Sequence, residues 1–127
     1  MRVFVFLLLA AALVLSAADV NVRGKWSGSF TLMRPDATTD EGTAFAVLKQ
    51  DGGQITGTAG PDEDHQWTLE KGTLSGNKAT FEVKSAEDGT LFKCDLTLDG
   101  DHLKGPVTAT ATDGQVLSAK ADFTRVK

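Results

Sequence analysis

From Asn21 onward the chain alternates apolar and polar residues with a period of two, and no stretch carries the 3.6-residue period of an amphipathic helix. Only an extended strand puts residues i, i+2 and i+4 on one face, so this rhythm commits the chain to an all-β fold. In the first run Val22, Gly24, Trp26, Gly28, Phe30 and Leu32 share a face, opposite Arg23, Lys25, Ser27, Ser29 and Thr31. Ala79, Phe81 and Val83 oppose Thr80, Glu82 and Lys84, and Phe92, Cys94, Leu96 and Leu98 oppose Lys93, Asp95, Thr97 and Asp99. The pattern recurs in Leu103, Val107, Ala109 and Ala111, and again in Leu117, Ala119, Ala121 and Phe123. Residues 43–51, 54–59 and 65–75 are less regular but rich in β-formers, with Trp67 and Leu69 in phase.

Short turn signals separate these runs. Gly52-Gly53, Gly76-Asn77, Asp88-Gly89, Gly100-Asp101 and Asp113-Gly114 all tolerate positive φ. Connections this short join antiparallel neighbours, so the topology is a meander. Two connections read as longer: a polar loop over residues 33–42, and an acidic turn over 60–64. A repeated apolar-x-Gly motif (Ile55-Thr56-Gly57, Leu74-Ser75-Gly76, Leu103-Lys104-Gly105) marks places where strands bend or bulge.

About eight strands in a meander leave two open edges unless the sheet closes on itself, and eight strands close around an interior that side chains fill or that holds one small ligand. A two-sheet sandwich has the same composition. Arg125 favours the barrel: the alternation puts it on the inward face at the end of the last strand, as Trp26 is at the start of the first. In a closed meander those strands are neighbours, and Arg125 can stack on the Trp26 indole and close one end. Fraying of Arg125 at the C-terminus is the bland alternative.

The N-terminus reads as a cleaved export signal: Arg2, an apolar run over residues 3–14, then the small residues Ser16, Ala17 and Ala18. The run is shorter than the roughly 20 residues a membrane helix needs, although an uncleaved anchor is the competing reading. The expected organisation is a signal peptide over 1–18 and one β-barrel domain over 19–127, in the periplasm or extracellular space. Loss of Arg2 leaves 12 basic residues against 17 acidic ones, a net charge of −5. Such a protein is not drawn to phosphate backbones, so nucleic acid is not an expected partner, nor is a membrane span after cleavage. A single cysteine, Cys94, permits no internal disulfide.

Gly24-Lys25-Trp26 on the first strand with an Arg in the last resembles the calycin signature of lipocalins, fatty-acid-binding proteins and avidins. The segment Gly53-Gln54-Ile55-Thr56-Gly57-Thr58 is similar to the second avidin hairpin. The resemblance implies the barrel fold, with Gly24, Trp26 and Arg125 as its closure. It does not carry the biotin site, because Gly28 and Ala59 stand where avidins place a binding Asn and Tyr. The whole chain also resembles small exported bacterial β-barrels of uncharacterised function.

Asp62-Glu63-Asp64-His65 is the densest polar cluster, but neighbours on an extended chain point in opposite directions, so it reads as a solvated turn and no metal is expected. His102 beside Asp101 reads as an exposed hairpin residue. Cys94, between Phe92 and Leu96, reads as a buried, inert thiol. No nucleophile elbow, phosphate loop, CxxC or HExxH motif is present, and the inward faces carry almost no polar atoms besides Arg125. The expected protein is therefore not an enzyme and needs no cofactor. It is expected to bind a small apolar ligand in the barrel mouth, with Phe45, Trp67, Phe81 and Phe92 as wall residues. Ala109, Ala111, Ala119 and Ala121 would open space on one side, and the 33–42 loop would act as a lid. The alternative is a solid barrel serving as a protein-interaction or assembly module; a barrel isomerase or cyclase would need a polar group in the mouth.

Overall fold

The computed structural model describes residues 21–126. The proposed leader over 1–18 lies outside them. Eight strands follow in order: β1 (Gly24–Met33), β2 (Thr39–Asp51), β3 (Gln54–Asp62), β4 (His65–Ser75), β5 (Lys78–Lys84), β6 (Leu91–Asp99), β7 (His102–Thr110) and β8 (Val116–Arg125). Each pairs antiparallel with the next, and β8 pairs back with β1, so the meander closes into a barrel. The closing seam runs from Trp26 opposite Arg125 to Met33 opposite Ser118.

Inward residues form one continuous core that includes Trp26, Leu48, Leu96, Leu103 and Phe123. The two ends differ. At one end the connections are two-residue turns, 52–53, 76–77 and 100–101. At the other they are 34–38, 63–64, 85–90 and 111–115. The expected 33–42 loop is shorter than its polarity suggested: Asp40, Glu41 and Gly42 belong to β2 and pair with Leu32, Thr31 and Phe30. What remains is a tight turn in which Arg34 N donates to Thr38 O at 2.8 Å. An ion pair between Arg34 and Asp40 braces it.

The two-residue end is plugged. Trp26 is fully buried, and its Nε1 donates to Val22 O at 2.9 Å. That bond requires the chain to fold back under the indole, which it does at Gly24 with φ of +119°, a conformation costly for any residue with a Cβ. The Arg125 guanidinium sits 4.4 Å from the Trp26 ring centroid. Its Nη1 donates to Arg23 O at 2.6 Å and its Nη2 to Asn21 O at 2.8 Å. One side chain thus stacks on the plug and ties down the segment that enters β1. Gly24, Trp26 and Arg125 come together as a unit.

Irregularity concentrates in β4. Glu70 pairs with Glu82 and Thr73 with Thr80, so β4 spends three steps where β5 spends two. The extra residue lies at Lys71, whose φ is +53°. This bulge moves the inward phase from Trp67 and Leu69 to Leu74, which is why a strict period of two fails over this strand. Gly28 shows a second kind of constraint: a Cβ there would lie 1.8 Å from Asp122 O, so β1 and β8 approach too closely for any side chain.

Arg125→Ala removes a cation–π contact and two charge-assisted hydrogen bonds, and is expected to cost about 2–3 kcal/mol of stability. Arg125→Lys is expected to recover little of it, because an ammonium cannot stack and donate in a fork at once. Urea denaturation followed by circular dichroism measures both.

Candidate functional site

Opposite the plug the barrel is hollow. A cavity of about 290 Å³ opens at the end with the longer connections, and every strand contributes to its wall. Its floor and sides are apolar: Phe81 and Val83 from β5, Phe92 from β6, Trp67 from β4 and Phe30 from β1. Phe30 and Phe92 meet edge to face, with centroids 5.7 Å apart at 84°. A solid interior is therefore confined to the plugged half.

Trp67, Phe81 and Phe92, three of the four expected wall residues, line this cavity. Phe45 does not. The β1–β2 register sets Trp26 opposite Ala46 and Gly28 opposite Ala44, and residues opposite each other share a face. Phe45 pairs with Ser27 and falls on the outer face, and Ala44 takes the wall position. The small residues that make room also differ from expectation. Ala44, Ala59 and Ala121 line the space, whereas Ala109 and Ala119 are buried away from it and Ala111 lies beyond β7. The 34–38 turn contributes nothing to the lining.

Sequence reasoning missed a polar corner. The inward phase of β5, through Ala79, Phe81 and Val83, continues one step past the strand to Ser85, which is 5% exposed and lines the cavity. Its Oγ accepts from Glu87 N at 3.2 Å, and its carbonyl accepts from Gly89 N at 2.9 Å. These bonds curl the 85–90 connection so that Glu87 and Asp88 reach the mouth. Hydrogen bonds from the Thr90 backbone N–H and then its hydroxyl, with the Ser85 hydroxyl contributing less, hold the Asp88 carboxyl below the ordinary carboxylate value. Extending the alternation two residues beyond Val83 was the signal available in the sequence.

Cys94 also lines the cavity, and burial pushes its thiol up to about 12. At neutral pH it is a thiol and a poor nucleophile. Cys94 is expected to react with Ellman's reagent at pH 8 much more slowly than a free cysteine, because little thiolate forms; labelling of the folded protein at the rate of a free cysteine would contradict the raised thiol pKa.

At the rim, Asp62 Oδ1 lies 2.7 Å from His65 Nδ1 and also accepts from the backbone N–H groups of Asp64 and His65, each at 2.9 Å. The carboxylate raises the His65 pKa above its ordinary 6.5, mainly through this hydrogen bond and then through its charge, with Glu87 and Asp64 adding to it. Asp62 is in turn held below its ordinary 3.8, chiefly by the His65 hydrogen bond. The pair is an exposed turn lock; among the described residues no group of three or more His, Cys, Asp or Glu side chains is placed to hold an ion. His102 likewise makes an exposed contact, 3.5 Å from Asp122.

The raised His65 pKa means its contribution is present below 6.5 and is lost as pH rises through the folded value. The depressed Asp62 contribution is present above 3.8 and is lost on acidification. The lock is thus strongest between those limits. An NMR titration is expected to place His65 above 6.5, and Asp62→Asn is expected to lower it; an unshifted His65 in both proteins would refute the lock.

Comparison with protein-family models finds no match, and comparison with curated proteins finds none. Among solved structures the chain is similar to a protein of unknown function from the DUF3598 family of Nostoc punctiforme, at 14% identity and a TM-score of 0.49. The alignment covers 83% of this chain and 48% of that one, so this chain spans about half the length of that protein.

Proposed function

We propose that this protein is a non-enzymatic carrier or sensor that binds a small, mainly apolar molecule in the open end of its barrel. The observation that carries the reading is the 290 Å³ cavity, walled by Phe30, Trp67, Phe81 and Phe92 above a sealed floor. That volume sits at the lower end of the roughly 300–1,000 Å³ typical of small-molecule sites. Transfer of an alkyl or aromatic group from water into such a space is favourable by about 25 cal/mol per Å² of apolar surface removed.

Residues 1–18 read as a leader, and the proposed place of action is outside the cytoplasm. The calycin likeness of Gly24, Trp26 and Arg125 fits the same proposal, as calycins are barrels that enclose ligands.

The chain has two tryptophans and no tyrosine, and Trp26 is fully buried in the plug. A ligand in the cavity therefore reports through Trp67. Titration with octanol and with a neutral naphthalene dye is expected to give a saturable change in tryptophan emission and a rise in Tm. The emission change is expected to vanish in Trp67→Phe while the rise in Tm persists. No change in either signal across such neutral probes would overturn the reading.

A further inference from the structure

The lining of the cavity is lopsided in charge. Among the described residues its only charged side chains are Glu87 and Asp88, and no lysine or arginine of these residues lines it. Neither carboxylate takes part in the ion pairs found among the described residues, which engage Asp40, Asp62, Glu82, Asp95, Asp101 and Asp122, although Asp88 accepts hydrogen bonds from Thr90 and Ser85 and the Glu87 charge acts on His65 at the rim. Beneath them the wall is aromatic, and aromatic faces attract cations through their quadrupole.

The asymmetry extends to the whole molecule. The connections at the open end, residues 34–38, 63–64, 85–90 and 111–115, carry six acidic side chains and one basic one, Arg34. Arg34 is itself engaged by Asp40. At the plugged end the turns carry the single acid Asp101, flanked by Asp51 and Asp99 at strand ends and offset by Arg23 and Arg125. A low-dielectric recess ringed by one sign of charge focuses its field and concentrates ions of the opposite sign.

Resting on the binding reading above, we infer that the cavity selects amphiphilic cations. The ligand is a small apolar body bearing an amine or ammonium group, with the body among Phe30, Trp67, Phe81 and Phe92 and the cation at Glu87 and Asp88. A carboxylate on the same body would meet two like charges at the mouth. An alcohol would gain the apolar contacts alone. The polar corner that Ser85 holds in place is thus the part of the site that distinguishes one apolar ligand from another.

The test uses three probes with one eight-carbon body: octylammonium, octanol and octanoate, at pH 7 and low ionic strength, read by Trp67 emission and by calorimetry. Octylammonium is expected to bind about fivefold tighter than octanol, the effect of roughly 1 kcal/mol from partly exposed charges. Octanoate is expected to bind more weakly than either. The preference is expected to shrink as salt is raised, because screening acts on charges at the rim and not on apolar contacts.

Glu87→Gln is expected to reduce the octylammonium-to-octanol ratio, and Glu87→Lys to reverse the order of octylammonium and octanoate. Thermal melts of both variants check that the barrel is intact. The Glu87 carboxylate lies at the rim, outside the backbone bonds that hold the 85–90 connection. Equal binding of octanol and octylammonium, or tighter binding of octanoate, overturns the charge selection and leaves the apolar site standing. Failure of all three probes to bind overturns both.

Discussion

The contact between Arg125 and Trp26 is where this barrel becomes a closed object. An eight-stranded meander has two edges, and each exposes a row of backbone donors and acceptors able to pair with another chain. Pairing of β1 with β8 removes both edges at once. The guanidinium at the end of that seam stacks on the buried indole and holds two carbonyls of the entering segment. Plug, seam and N-terminal approach therefore share one side chain. With no disulfide available, few other single groups couple parts of the chain so far apart.

Sealing one end leaves the other free to be hollow. The plugged half is filled by Trp26, Leu48, Leu96 and Leu103, among the most buried residues in the chain. The open half has large rings on some strands and alanines on others, and the difference in volume remains as space. The same division appears in the connections, which are all two residues at the plug and, apart from 63–64, five or six residues around the mouth. Longer connections give room for side chains that do not serve packing, and that is where Ser85, Glu87 and Asp88 are found.

The alternation made the strands, their order and the closing pair readable in advance, because a half-buried sheet enforces a period of two on every strand that keeps one face inward. Trp26, Gly24 and Arg125 were legible for the same reason: their phase and their places at the two ends of the pattern determine that they meet. Phe45 was misread because size was weighed over phase. It is large and apolar, but Ala44, Ala46 and Leu48 hold the inward positions of β2. The bulge at Lys71 had no signature, since nothing in its type announces a positive φ. The polarity of residues 39–42 suggested a loop, whereas they form strand on the solvent-facing rim. Ser85 was overlooked because a serine after a strand reads as a turn residue. Only its phase with Phe81 and Val83 shows that it points inward.

The seam also sets the order of events in folding. Trp26 and Arg125 are directly opposite in the sheet, yet almost the entire described chain separates them. The rungs between consecutive strands can zip locally, but those of the β1–β8 seam must wait until the ribbon has curled through a full circle, with the loop entropy that entails. Until then both flanks are sticky and the indole has no lid. A chain built this way is most vulnerable to self-association in the interval before its final strand docks, and it benefits from anything that delays collapse until that strand is present.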